Sequence, residues 1–316
     1  MLKIINRFAV VCLCCLITSI ANAELENNVN ELIKEDMREW LLVNINYSSN
    51  SSTDFEFIDY LYKNLKNISV KSNKYQLIFN EKYSIHIKPI NDNLIPDFRR
   101  LLEKELKRLN LTGHQHENQY FIFETLPEQY NLNQSLVFNS DYLFLFINNG
   151  LILTFKNKQK MRQELASIYN NLNTSTLPLN DRYWPLEEND GFSPIPDEFN
   201  YFFRGISDDD YLHAIKLKKY KKINLILLFS YSISGAPQLS LISLSEDFDF
   251  IDRMELGENI ELEDGGIWNR YLIDENYRIT IKKIQSPYDG YKKATIFLNQ
   301  TSYIINENGI FVKLKR

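Results

Sequence analysis

The sequence predicts an exported chain of two domains. The first is an α+β N-terminal domain with an antiparallel sheet. The second is an all-β antiparallel meander at the C-terminus, barrel-, sandwich- or propeller-like. Three observations predict it: a removable apolar leader, alternating helical and strand periods through the first half, and a run of short strands after the basic stretch KLKKYKK.

The leader is MLKIINRFAVVCLCCLITSIANA, residues 1–23. Lys3 and Arg7 form its positive start, Phe8 to Ile20 its 13-residue apolar region, and Ala21-Asn22-Ala23 a small-residue cleavage box. A bilayer span needs about 20 apolar residues, so the segment reads as a signal peptide rather than an anchor, and no membrane span is expected after its removal. Cys12, Cys14 and Cys15 all leave with it. A lipid anchor on one of them would leave too short an apolar segment behind. The mature chain then has no disulfide, thiol nucleophile or thiolate metal site, which favours a bacterial periplasm or secretion without disulfides.

The mature 293 residues carry 34 bases against 41 acids. That balance argues against nucleic acid and against an anionic membrane surface, both of which need a positive face.

Residues 24–173 make up the expected α+β domain. Four helical periods run through it: Val29, Leu32, Ile33, Met37, Trp40 and Leu41; Phe55, Ile58, Leu61, Tyr62 and Leu65; Phe98, Leu101, Leu102, Leu106 and Leu109; and Met161, Leu165, Ile168, Tyr169 and Leu172. Strand runs lie between them: YQLIF, YSIHI, YFIFE, LFLFI and LILTF. The last two flank Asn148-Asn149-Gly150, a strong hairpin signal, and are apolar on both faces, which places them centrally in the sheet.

Residues 174–205 hold Pro178, Pro185, Pro194 and Pro196 and read as a connection. Tyr183-Trp184 within it can dock the linker or line a cleft. Residues 206–316 form the meander. Three of its turns and one of the first domain share one template: FNEKYSI in the first domain, and LSEDFDF, IDENYRI and INENGIF in the meander. Each reads as a hairpin reversal in which an Asp or Asn side chain can bond its own backbone and whose aromatic begins the next strand and packs across the hairpin. Asn308-Gly309 reads as a type I′ pair. A calcium site on these turns lacks the required ligand spacing.

Catalytic motifs are missing. Ser232-Ile233-Ser234-Gly235 lacks the first glycine of a nucleophile elbow, and there is no zincin helix, phosphate loop or dinucleotide fingerprint. His114-Gln115-His116 could offer two imidazoles to zinc from an extended backbone, but lacks a third ligand; His86 reads as a strand residue. Asp208-Asp209-Asp210 and Glu261 to Asp264 could supply paired acids for glycoside hydrolysis, with no visible constraint on their separation.

Charge segregation carries more. Residues 246 to 264 hold nine acids and one base, Arg253, while Lys216, Lys218, Lys219, Lys221 and Lys222 cluster without an acid. The two neighbourhoods either neutralise each other or steer a protein partner. The favoured expectation is a noncatalytic protein-binding protein that needs no cofactor, such as an adaptor or a periplasmic inhibitor of the immunity type. Its docking residues would be the five lysines with Tyr183 and Trp184. A periplasmic hydrolase using carboxylates or a His114/His116 metal site is the opposing expectation, and an envelope structural component the third.

Overall fold

The computed structural model describes residues 37–47, 70–73, 76–79, 81, 83–89, 96–111, 119–123, 135–147, 151–180, 191–203, 212–231, 237–262, 265–287 and 296–315. The leader, the helical period at 55–65 and the Asn148–Gly150 turn lie outside them. The chain divides into two compact units, Met1–Met161 and Arg162–Arg316. Among the described residues no helix is long and apolar enough to cross a membrane.

The first unit is a closed antiparallel barrel of eight strands in sequence order. They are β1 (Arg38–Tyr47), β2 (Val70–Ser72), β3 (Gln76–Phe79), β4 (Tyr83–Pro89), β5 (Gln119–Phe123), β6 (Ser135–Phe138), β7 (Tyr142–Ile147) and β8 (Leu151–Asn157). Closure comes from β1, which pairs with β2 on one side and β8 on the other. Helix α1 (Pro96–Arg108) connects β4 to β5.

Side chains alternate across the barrel wall. Tyr142, Phe144, Phe146 and Ile152 pack against Phe98, Leu101, Leu102 and Leu106 of α1. A helix about 10–12 Å wide does not fit inside an eight-stranded barrel, whose interior side chains fill. So α1 lies outside, and the opposite face is the interior, where Trp40, Leu77, Leu136, Leu143 and Phe155 are buried. Trp40 Nε1–H donates to Ser72 Oγ there at 2.8 Å. This explains why β7 and β8 are apolar on both sides: one face fills the barrel and the other lies under α1.

The helical period expected over 29–41 is corrected at its end, since Arg38–Tyr47 is a strand. A register shift between Leu42 and Asn44 breaks its alternation, so Trp40, Leu42 and Ile45 point inward while Asn44 turns outward, which disguises a period of two. Of the other periods, α1 matches the third, closed by Asn110 at φ 57°. Leu111 N–H donates to Leu106 O, the bond that ends a helix at a left-handed residue. The fourth is α2 (Lys158–Asn171), whose N-terminus is capped by Asn157 Oδ1 accepting from the N–H groups of Gln159 and Lys160. The boundary between the two units falls within α2.

The second unit is an antiparallel meander. Its path runs through β11 (Ser193–Pro194), β12 (His213–Tyr220), β13 (Ile223–Tyr231), β14 (Pro237–Leu244), β15 (Phe250–Leu262), β16 (Gly265–Ile273), β17 (Ile279–Pro287), β18 (Ile296–Ile305) and β19 (Phe311–Lys313). Two short strands from the proline-rich stretch join it: β9 (Thr174–Ser175) lies parallel to β12 and β10 (Leu179–Asn180) antiparallel to β16. A single turn, α3 (Phe199–Phe202), follows β11. β15 pairs with β14 up to Glu258 and with β16 from Asn259 onward, passing from one half of the sheet to the other. The core between the halves holds Leu217, Leu225, Leu227, Leu241 and Leu256 from one side and Tyr271, Ile273, Ile279 and Ile305 from the other.

Candidate functional site

Connections of a meander alternate between its two ends, so the turns β12–β13, β14–β15, β16–β17 and β18–β19 share one rim. The last three have the same backbone. Phe248, Tyr277 and Gly309 occupy one position in them at φ 63°, 61° and 82°. In each, the residue three before it accepts its N–H and donates to the carbonyl of the residue after it, at 2.8 to 3.1 Å. These are three-residue loops, a type I turn followed by a left-handed residue, rather than the type I′ pair expected at Asn308-Gly309. The side chain of the first turn residue decides this: Asp274 Oδ1 accepts from the N–H groups of Asn276 and Arg278, and Asn306 Oδ1 from those of Asn308 and Ile310. FNEKYSI differs, since Phe79 pairs with Tyr83 and the positive φ falls on Glu81.

The aromatic of the template therefore ends the turn instead of starting the strand, and it packs away from its own hairpin. Phe248 meets the ring of Tyr169 edge-on, with centroids 5.4 Å apart. Tyr277 lies 5.1 Å from Tyr220 and donates its hydroxyl to Lys218 O at 2.6 Å. Gly309 has no such freedom, because an added Cβ would lie 2.8 Å from Ile251 Cδ1. A left-handed backbone costs an ordinary residue roughly 1–2 kcal/mol, and at Tyr277 the hydrogen bond and ring contact offset that strain.

The Lys218 carbonyl is available because β12 bulges. Leu217 pairs with Leu225 and Tyr220 with Ile223, so Lys218 and Lys219 together oppose Asn224. Both lysine side chains are exposed, and beside them runs an open groove of 790 Å³. Thr174–Leu177 form one wall, Lys218–Lys221 the other, and Glu275–Tyr277 the end. Burial pushes the Tyr277 phenol above its ordinary pKa, so at neutral pH it stays a donor.

The five candidate lysines separate into distinct roles. Lys216 Nζ donates to the carbonyls of Tyr169 and Asn170 at 2.9 and 2.8 Å, closing the C-terminal turn of α2. Lys221 sits 3.5 Å from Glu307 and Lys222 3.6 Å from Glu246, exposed pairs worth little in stability but locally neutralising. Lys218 and Lys219 lie on the groove wall with no ion pair among the described residues. Tyr183, Trp184, His114, His116, Ser232–Gly235 and Asp208–Asp210 fall outside the described residues. Glu261 lies in β15, whereas Glu263 and Asp264 are outside. Among the described residues no three potential ligands gather to hold a metal.

Two features went unread in the sequence. Tyr220 and Tyr277 line the groove, and comparing DENY with NENG shows Tyr277 where the sister turn uses glycine, a legible signal of strain. The other is Glu105 in the first unit, a fully buried carboxylate. Its Oε1 accepts from Asn44 Nδ2 at 2.9 Å, Thr154 Oγ1 at 2.8 Å and Arg108 Nη2 at 2.8 Å. Burial pushes this carboxyl up, but Arg108, Asn44 and Thr154 outweigh it and hold it below the usual range. Fully satisfied on its inner side, Glu105 ties α1 to β1 and β8. His213 in β12 is lowered by burial.

No protein-family model matches the chain, and neither a curated protein nor a solved structure matches it.

Proposed function

We propose that this chain is an exported, noncatalytic protein-binding protein, an adaptor or an inhibitor of the immunity type, that engages a partner through the rim groove of its meander. One observation carries the reading: a β-bulge places Lys218 and Lys219 side by side on an open groove that Tyr220 and Tyr277 also line. Aromatic rings with an apolar body and a polar tip, next to lysines with no described carboxylate partner, suit a hydrated protein surface of opposite charge. An open groove with one acid among its described lining residues, Glu275, differs from the enclosed pocket with convergent titratable groups that acid–base hydrolysis uses.

The test is affinity capture of the mature chain from its native envelope, repeated with Lys218→Glu/Lys219→Glu. The reading expects one stoichiometric protein partner, lost in the double variant and retained in Lys222→Glu. Stoichiometric zinc in the purified protein without any partner would overturn it in favour of a hydrolase.

A further inference from the structure

The acidic excess of the chain reverses along one side of the meander. β17, β18 and β19 together carry Lys282, Lys283 and Lys313 and no aspartate or glutamate. Between its basic neighbours, β18 is uncharged over all ten residues, IFLNQTSYII.

Among the described residues, only the second half of this strand is covered on its outer side. Tyr303–Ile305 pair with β19, and Leu314 N–H donates to Ser302 O. Ile296–Asn299 have β17 as their one strand neighbour among the described residues. There Ile296, Phe297 and Leu298 are 56, 57 and 41% exposed, three consecutive large apolar side chains in solvent. Asn299 pairs with Lys283 and Phe297 with Ile284, so Leu298 is the extra residue of a bulge. Beside this edge lies a depression of 680 Å³ bordered by Asn299, Thr301, Ser302, Arg278, Lys313 and Lys315. Among the described residues that line it, every charged group is a cation.

An open strand edge offers backbone donors and acceptors to an incoming strand, while side chains along the edge set the choice of partner. A second copy of the same edge is disfavoured here, because antiparallel self-pairing brings two basic frames together. Carboxylates relieve that repulsion. We propose that the edge of β18 at Ile296–Asn299 receives an extended acidic polypeptide segment by strand addition. The segment's apolar residues lie on Phe297 and Leu298, and its carboxylates face Arg278, Lys313 and Lys315. This surface does not rest on the rim groove.

The probe is a fluorescein-labelled octapeptide of alternating valine and glutamate, titrated into the purified protein at low and high salt. Controls are the valine–lysine octapeptide and the valine–glutamate peptide N-methylated on alternate amides, which removes one edge of ladder donors. Expected are binding of the acidic peptide, at least tenfold weaker binding of both controls, weakening with salt, and hydrogen-exchange protection confined to amides 296–299. Lys313→Glu/Lys315→Glu and Phe297→Ser, both at exposed positions, each weaken binding tenfold or more, whereas Lys218→Glu/Lys219→Glu leaves it unchanged. The proposal is overturned by failure of the acidic peptide to bind, by equal binding of the two charges, or by binding without protection at 296–299. Loss of binding in the rim double variant, or concentration-dependent dimers protected at the same amides, overturns it equally.

Discussion

Tyr277→Gly separates strain held for a surface from strain that folding does not need. Glycine adopts φ 61° freely, so the substitution relieves roughly 1–2 kcal/mol of left-handed strain. Greater freedom of the unfolded chain takes back about 0.5–1 kcal/mol of that. The variant also loses the hydroxyl's bond to Lys218 O, about 0.5–1.5 kcal/mol, and the Tyr220 ring contact, about 0.5–1.5 kcal/mol beyond area. The half-buried ring surface adds further loss. The expected net is destabilisation by about 1–2 kcal/mol, with Tyr277→Phe at about 0.5–1.5 kcal/mol because only the hydroxyl goes. Urea unfolding followed by tryptophan fluorescence reads it, with Trp268 on β16, the strand leading into this hairpin. If Tyr277→Gly is more stable than the parent, tertiary contact does not hold this residue in place and the account of the groove lining fails.

Other expectations follow from the same contacts. Glu105→Ala strands Asn44, Thr154 and Arg108 and destabilises the barrel by about 3–5 kcal/mol, measured by urea unfolding. Because the folded Glu105 pKa is lowered, its contribution is complete above the unfolded value near 4.3 and is lost as pH falls through the folded value. The stability gap between the parent and Glu105→Gln should therefore be widest at neutral pH and shrink in acid; a gap that widens in acid contradicts the assignment. Gly309→Ala meets both a positive φ and a Cβ contact at 2.8 Å, and should cost at least about 1 kcal/mol by thermal unfolding. Lys216→Met removes the donor on the Tyr169 and Asn170 carbonyls and should lower stability by about 1–2 kcal/mol, whereas Lys219→Met should leave stability within about 0.5 kcal/mol while weakening partner capture.

Local pattern carried much of the architecture. Phe98, Leu101, Leu102 and Leu106 announce α1 because a helix buries one stripe, and the two-sided apolar runs of β7 and β8 announce a central place in a sheet. β1 was hidden because one extra residue at its register shift mixes the two faces. The five lysines were visible as a cluster, but their division into a helix cap, two exposed pairs and a groove wall was not. It depends on a bulge that pairing with β13 creates, and on Tyr277 arriving from a hairpin 59 residues away.

The sequence by itself determined the antiparallel β-rich character, the two principal helices and the repeated turn, since each depends on residues within a few positions of one another. Tertiary structure alone decided that the first sheet closes into a barrel, that Glu105 is buried among donors from Asn44, Asn46, Arg108 and Thr154, and what Phe248, Tyr277 and Gly309 each meet from one turn position. Closure and burial depend on neighbours distant in the chain, and what each turn residue packs against is set by which strand the meander brings to its side.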